Sequence, residues 1–321
     1  MKITINDKTV EVSGQRVLIE ELRELGYEIP SLCYDREAEH QPSCMVCMVR
    51  NVQTDQMIPS CSTFPTEGMH IDTESDEVQA LRRMSLELLL SDHRADCDAP
   101  CTMVCPSKID VALVILYYDR GEMARAKAVL AQAVDLDNLP CATCKGGCEK
   151  VCRRKTVDQS VSIKVIIQEV AQSKTSPVNV AFLPREGQGG SFSSKLGRYT
   201  EAEKEWLKEV YSQPSHCLHC ACEGKAKCKL REYSSKAGIK SPRYGVSSRQ
   251  LVKEQQHITG RLYYEPAKCI RCGLCVYNSQ DGFTFQHRGF DMQVVIPEQS
   301  KSHIEERLAD LCPTGALFLR E

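Results

Sequence analysis

The residues with chemistry to do are cysteines: 19 of them in 321 residues, gathered in tight blocks. Cys33, Cys44, Cys47 and Cys61 come first. Cys97, Cys101 and Cys105 follow just after His93, and then Cys141, Cys144, Cys148 and Cys152. The later blocks are Cys217, Cys220, Cys222 and Cys228, then Cys269, Cys272 and Cys275 with a distant Cys312. Thiolates in fours hold iron–sulfur clusters or zinc. Disulfides do not explain the pattern: an odd count cannot pair fully within one chain, and bridges between residues two or three apart are strained. Buried inert thiols would account for one or two cysteines, not for blocks this dense. The opening MKITINDKTVEV alternates like a strand and lacks the apolar run of a signal peptide. The longest apolar run, residues 111–118, is too short to span a bilayer. A net charge of −2 and a pI of about 6.5 offer nothing to nucleic acid or to an anionic membrane. The composition implies a reduced, cytoplasmic metal protein.

The elements that must position these thiols follow from the patterning. Residues 1–6 and 9–12 alternate around the turn Asn6-Asp7-Lys8, a hairpin signal. Residues 17–25 have helical periodicity and stop at Gly26, a plausible C-cap. Hairpin, helix and cysteine loop is the order of a small β-grasp domain. Its spacing, C-x10-C-x2-C-x13-C, takes three thiolates from one loop and a fourth from a later segment, the logic of a [2Fe–2S] site. Zinc is the competing metal, though it prefers paired short knuckles. Val78, Leu81, Met84 and Leu88 mark a helix over 74–91, and two more helices, 110–118 and 122–134, break at Gly121. The stretch 173–199 is rich in Ser, Gly, Pro and Lys and reads as a surface linker; its GQGG at 187–190 lacks the strand and spacing of a dinucleotide site. Thr200-x-x-Glu203 is a capping box, and Trp206 behind it a packing anchor. Cys217, Cys220, Cys222 and Cys228 are so close in sequence that they are expected to share one centre, zinc or [4Fe–4S], with His216 and His219 as bystanders. Ser302-x-x-Glu305 is expected to cap the helix that returns Cys312. The expected fold is α+β and multidomain: a β-grasp domain over 1–75, a helical domain over 76–172, a linker with a compact four-cysteine site over 173–232, and a ferredoxin-like domain over 233–321.

Several pieces resemble known modules. The first four cysteines depart from the plant-type gap of four residues and resemble instead the N-terminal [2Fe–2S] domain of the large iron–sulfur subunit of respiratory complex I, also found in iron-only hydrogenases and NAD-linked formate dehydrogenases. His93-x3-Cys97 at the end of a helix is similar to the histidine ligand of that same subunit. A surface histidine beyond a helix end is the simpler alternative. From Cys105-Pro106 to the second cysteine block, the chain is similar to the helical two-cluster domain of the glutamate synthase small subunit and of dihydropyrimidine dehydrogenase. There the blocks exchange ligands. Carried over, the resemblance implies one [4Fe–4S] cluster on His93, Cys97, Cys101 and Cys152 and another on Cys105, Cys141, Cys144 and Cys148. Gln168 is the alternative to His93 as the odd ligand. The tail resembles a bacterial ferredoxin that has kept one of two clusters. Cys269-x2-Cys272-x2-Cys275 and the Cys312-Pro313-Thr314-Gly315-Ala316-Leu317 ending imply one [4Fe–4S] cluster, and Ser279 stands where a further cysteine would be.

Together these imply a wire: one [2Fe–2S] cluster, three to four [4Fe–4S] clusters and, in the zinc reading of Cys217–Cys228, one zinc. No residue is singled out as a catalytic group, and a chain ending at Glu321 without the large catalytic domains of longer relatives is not expected to turn over a substrate alone. The expected partners are a flavin- and NAD(P)-binding subunit and a catalytic subunit such as a hydrogenase or formate dehydrogenase, with flavin bifurcation open. The competing readings are a zinc-stapled structural subunit and a self-contained flavin reductase.

Overall fold

The computed structural model describes residues 1–93, 97–178, 199–239, 244 and 255–320. Most of the 173–199 stretch, GQGG included, lies outside the described residues. The chain forms two compact units. One comprises 1–93, 224–247 and 254–321; the other comprises 94–223 with 248–253.

The first unit begins with five short strands: β1 (Lys2–Ile5), β2 (Lys8–Glu11), β3 (Met48–Asn51), β4 (Gln56–Pro59) and β5 (His70–Asp72). They pair in the order β2-β1-β5-β3-β4, with β1 parallel to β5 and the other neighbours antiparallel. Alternation sends Ile3 and Ile5 to one face. There they meet Leu18, Ile19 and Leu22 of helix α1 (Leu18–Glu24) in a shared core with Val49 and Ile71. Gly26, at φ +88°, takes the left-handed turn that ends α1. The helix α2 (Asp76–Asp92) is tied to the sheet, because buried Arg82 donates from Nε to the Met48 carbonyl (2.9 Å) and from Nη1 to the Thr73 carbonyl (3.2 Å). This helix therefore sides with the N-terminal sheet, whereas the patterning grouped it with the helical segment.

The second unit is helical: α3 (Pro100–Met103), α4 (Val111–Asp119), α5 (Met123–Ala131), α6 (Gly147–Lys150), α7 (Ile163–Gln172) and α8 (Glu201–Val210). Asp110 caps α4 by accepting from Leu113 N–H, and Gly121 makes the break before α5 at φ +73°. Val114, Ile115, Leu130, Ile163, Ile167 and Val170 form its core, and cysteines border that core. The Thr200–Glu203 capping box is present at α8, and Trp206 packs beside Leu207 and Tyr199.

The first unit resumes with α9 (Lys229–Lys236), β6 (Gln256–Thr259), β7 (Leu262–Tyr264), α10 (Leu274–Tyr277), β8 (Thr284–Gln286), β9 (Gln293–Val295), α11 (Leu308–Leu311) and β10 (Leu317–Leu319). β10, β7 and β6 form an antiparallel sheet, and β8 and β9 a hairpin. The backbones of Gly224 and Gly315 press together: a Cβ on Gly224 would lie 2.7 Å from Gly315 Cα, so Gly224 excludes a side chain. The expected cap at Ser302–Glu305 is corrected. A tight 3-10 segment, Glu298–His303, comes first, and α11 is one turn whose N-cap is Arg307. The short α11 is instead closed by a local turn bond, Leu308 N–H to the Glu305 carbonyl (3.2 Å).

Candidate metal centres

Cys269, Cys272, Cys275 and Cys312 line one pocket, about 340 Å³ of open space walled by Tyr264, Ile270, Leu274, Val294 and Leu317. The C-x2-C knuckle has a specific shape. Arg271 takes a left-handed φ of +57°, and its N–H donates to Cys269 Sγ at 3.3 Å. Gly273 follows at φ +83°, and a Cβ there would strike the Tyr277 ring at 2.5 Å. Burial pushes the Cys272 and Cys275 thiols well above the ordinary range; the other thiols of the set add to this, and the Cys33 thiol also acts on Cys272. Four thiols crowded into an apolar pocket cannot all ionise without a cation between them. Iron meets that requirement, and the residues fit a [4Fe–4S] cluster.

Two neighbours of this pocket gave no signal in the sequence. Lys268 and Glu265 are both fully buried and form an ion pair at 2.7 Å. Thr314 donates its hydroxyl to the Lys268 carbonyl (3.0 Å) and accepts from Ala316 N–H (3.2 Å), which fixes the loop carrying Cys312. The only hint of Lys268 was its place beside Cys269; nothing in its type said that it would be buried.

Cys33, Cys44 and Cys47 lie in the loop between α1 and β3, and Cys61 follows β4; all four are buried. The Sγ atoms of Cys33 and Cys44 are 3.4 Å apart, and Ser43 N–H points at Cys33 Sγ at 3.4 Å. The bond with Cys44, then that with Cys61, holds the Cys33 thiol down to about 2, and Cys61 lowers Cys47 to about 7. Cys44 and Cys61 move up in exchange. Four buried thiols in hydrogen-bond contact, two of them shifted down by the other two, form a set into which iron can exchange for protons, and it fits a [2Fe–2S] cluster.

Eight of the second unit's ten thiols fall into two groups. Cys105, Cys141, Cys144 and Cys148 act on one another: burial raises Cys141, followed by the thiols of Cys105 and Cys144, and burial lifts Cys148 to about 11. Lys164 donates to the Cys144 carbonyl at 3.0 Å and places its charge beside this group. The other group is Cys101, Cys152, Cys217 and Cys220, which line a second pocket of about 370 Å³. This differs from both sequence expectations, in which Cys101 and Cys152 went with His93 and Cys97, and Cys217 and Cys220 with Cys222 and Cys228. Cys97 and Cys222 lie together instead, joined by Cys222 N–H to the Cys97 carbonyl at 3.3 Å. Cys228 is the N-cap of α9 and accepts from Arg231 N–H at 3.4 Å. His93 is buried and closes α2. Gln168 is on the exposed side of α7. His216 is exposed, and His219 Nε2 lies 3.0 Å from Asp119 Oδ2.

Residues 1–76 match a family model described as a 2Fe-2S iron-sulfur cluster binding domain. An iron–sulfur domain of this class therefore opens the chain. Beyond it the similarities are to components of oxidoreductases. The chain is 33% identical over 166 residues to the NADP-reducing hydrogenase subunit HndD of Solidesulfovibrio fructosivorans, covering 47% of this chain and 27% of that protein. It is 30% identical over 97 residues to a subunit of the NADH-quinone oxidoreductase of Rhizobium meliloti (strain 1021), covering 30% of this chain and 11% of that one. Over the same length it is 28% identical to the alpha subunit of the NADPH-Fe(3+) oxidoreductase of Geobacter sulfurreducens (strain DL-1 / KN400), 12% of which is covered. The chain thus spans about a quarter or less of these relatives. In fold it is similar to a chain in a crystal structure of NAD+-reducing [NiFe]-hydrogenase in the H2-reduced state, with a TM-score of 0.52 at 14% identity, covering 99% of this chain and 87% of that one.

Proposed function

We propose that this chain is a multi-cluster electron-transfer subunit that passes electrons between a flavin- and NAD(P)-binding partner and a catalytic oxidoreductase partner. The observation that carries the reading is the gathering of thiols into fours inside apolar pockets, with backbone N–H groups aimed at sulfur. Such clusters exchange single electrons when bound. The protein's share is to set their potentials through burial, N–H···S bonds and nearby charge. Lys164, Arg154 and the Lys268–Glu265 pair are among the charged groups placed to do so. The names of the relatives supply the rest: a hydrogenase subunit, a quinone oxidoreductase subunit and an iron-reducing oxidoreductase subunit have reduction in common and differ in what they reduce. Among the described residues no helix is long and apolar enough to cross a membrane.

The test is a reductive titration of the anaerobically purified chain. Dithionite should bleach its visible absorbance. NADH or NADPH should not do so until a flavin-containing partner is added. Direct bleaching by NAD(P)H, with a flavin spectrum in the isolated chain, would overturn this in favour of a self-contained reductase.

A further inference from the structure

We infer that Cys101, Cys152, Cys217 and Cys220 together ligate one [4Fe–4S] cluster, a site assembled from three separate cysteine blocks. Its internal reference is the pocket of Cys269, Cys272, Cys275 and Cys312. Each pocket has four thiols in a mostly apolar lining. They also share a knuckle. Cys217-Leu218-His219-Cys220 repeats the shape of Cys269-Ile270-Arg271-Cys272: the third residue is left-handed (φ +45° against +57°), and its N–H donates to the first sulfur at 3.3 Å in both. A non-glycine residue rarely adopts that conformation, so its recurrence at the same position of two C-x2-C segments points to the same task. Leu218 and Ile270, both buried, occupy the same place in the two knuckles and wall the two pockets.

The remaining two ligands come from the helical part. Cys101 is on α3, where the shared core fixes it, and Cys152 follows α6. Arg154, 2% exposed, lines the pocket and is locked to Asp158 by two bonds of 2.6 Å. Zinc requires its four sulfurs about 2.3 Å from one point. Thiols ringing a pocket suit a cluster that brings its own iron and sulfide. The inference rests on the iron–sulfur reading of the chain.

The test uses the full-length chain, purified anaerobically, with Cys101→Ala, Cys217→Ala, their double variant and Cys228→Ala. Iron, acid-labile sulfide and the reduced-state EPR spectrum are read for each. Cys101→Ala and Cys217→Ala should each lose about four iron atoms and the same EPR component, and the double variant should lose no more than either. Cys228→Ala should keep that component. The surviving signals, that of the [2Fe–2S] cluster included, report folding in every sample. The ligand set is overturned if Cys101→Ala and Cys217→Ala remove different components, or if Cys228→Ala removes the one lost in Cys217→Ala. A wild-type chain without iron would instead sink the iron–sulfur reading itself.

Discussion

At the scale of single residues, the blocks of cysteine were legible because thiolate chemistry dictates their spacing, whereas the groups that support them were not. Lys268 is the clearest case. A lysine between Ala267 and Cys269 reads as a surface residue, yet it is fully buried against Glu265. A buried charge left without its partner costs far more than the pair contributes. Lys268→Met should therefore destabilise the chain by about 3–5 kcal/mol, read as a lowered denaturation midpoint; an unchanged midpoint would show that Glu265 is otherwise satisfied. Asp158 makes a prediction in pH. Its hydrogen bonds to Arg154 hold its carboxyl below the usual range. A depressed folded-state pKa adds stability that is present above the unfolded carboxylate value and is lost as pH falls through the folded one. The advantage of wild type over Asp158→Asn should thus be full at about pH 6 and shrink below about pH 4, followed by far-UV circular dichroism during acid unfolding. Acid also strips clusters, but from both chains alike, so the difference isolates the pair. A gap that stays constant with pH would contradict this.

At the scale of elements, local signals served well and long-range ones poorly. The N-terminal hairpin, the helix ending at Gly26, the break at Gly121 and the Thr200 capping box were all readable, since each is decided within one turn of chain. The Ser302 cap was misread because a capping box needs a helix of some length behind it, and α11 has a single turn. The pairing of thiol blocks depends on packing between segments far apart in sequence, about which spacing is silent. One such contact is the docking of Asn278, at the end of α10, onto the cysteine loop of the first sheet. Its Nδ2 donates to the Glu39 carbonyl (2.8 Å) and its Oδ1 accepts from Glu39 N–H (3.0 Å). This clasp lies between the loop bearing Cys33 and the segment bearing Cys272, and the two thiols are close enough to act on each other. Asn278→Ala removes both bonds and should cost about 1–3 kcal/mol. With both clusters reduced, it should also weaken the spin–spin broadening between the [2Fe–2S] and C-terminal [4Fe–4S] EPR signals. Unaltered broadening would mean that the clasp does not set their approach.

At the scale of the whole molecule, the thiols gather in fours in both compact units. Its fold runs the length of a hydrogenase chain, while its sequence similarity is patchy and covers about a quarter or less of longer relatives. The relay proposed above would be assembled from modules, with its specificity set by the partners at either end. Metal and sulfide analysis of the anaerobically purified chain decides whether its cysteines hold iron–sulfur clusters. The expected result is a brown protein with roughly 14 to 18 iron atoms per chain, an about equal amount of acid-labile sulfide, and dithionite-reduced EPR signals of both [2Fe–2S] and [4Fe–4S] type. A colourless chain that carries zinc and no sulfide would contradict it.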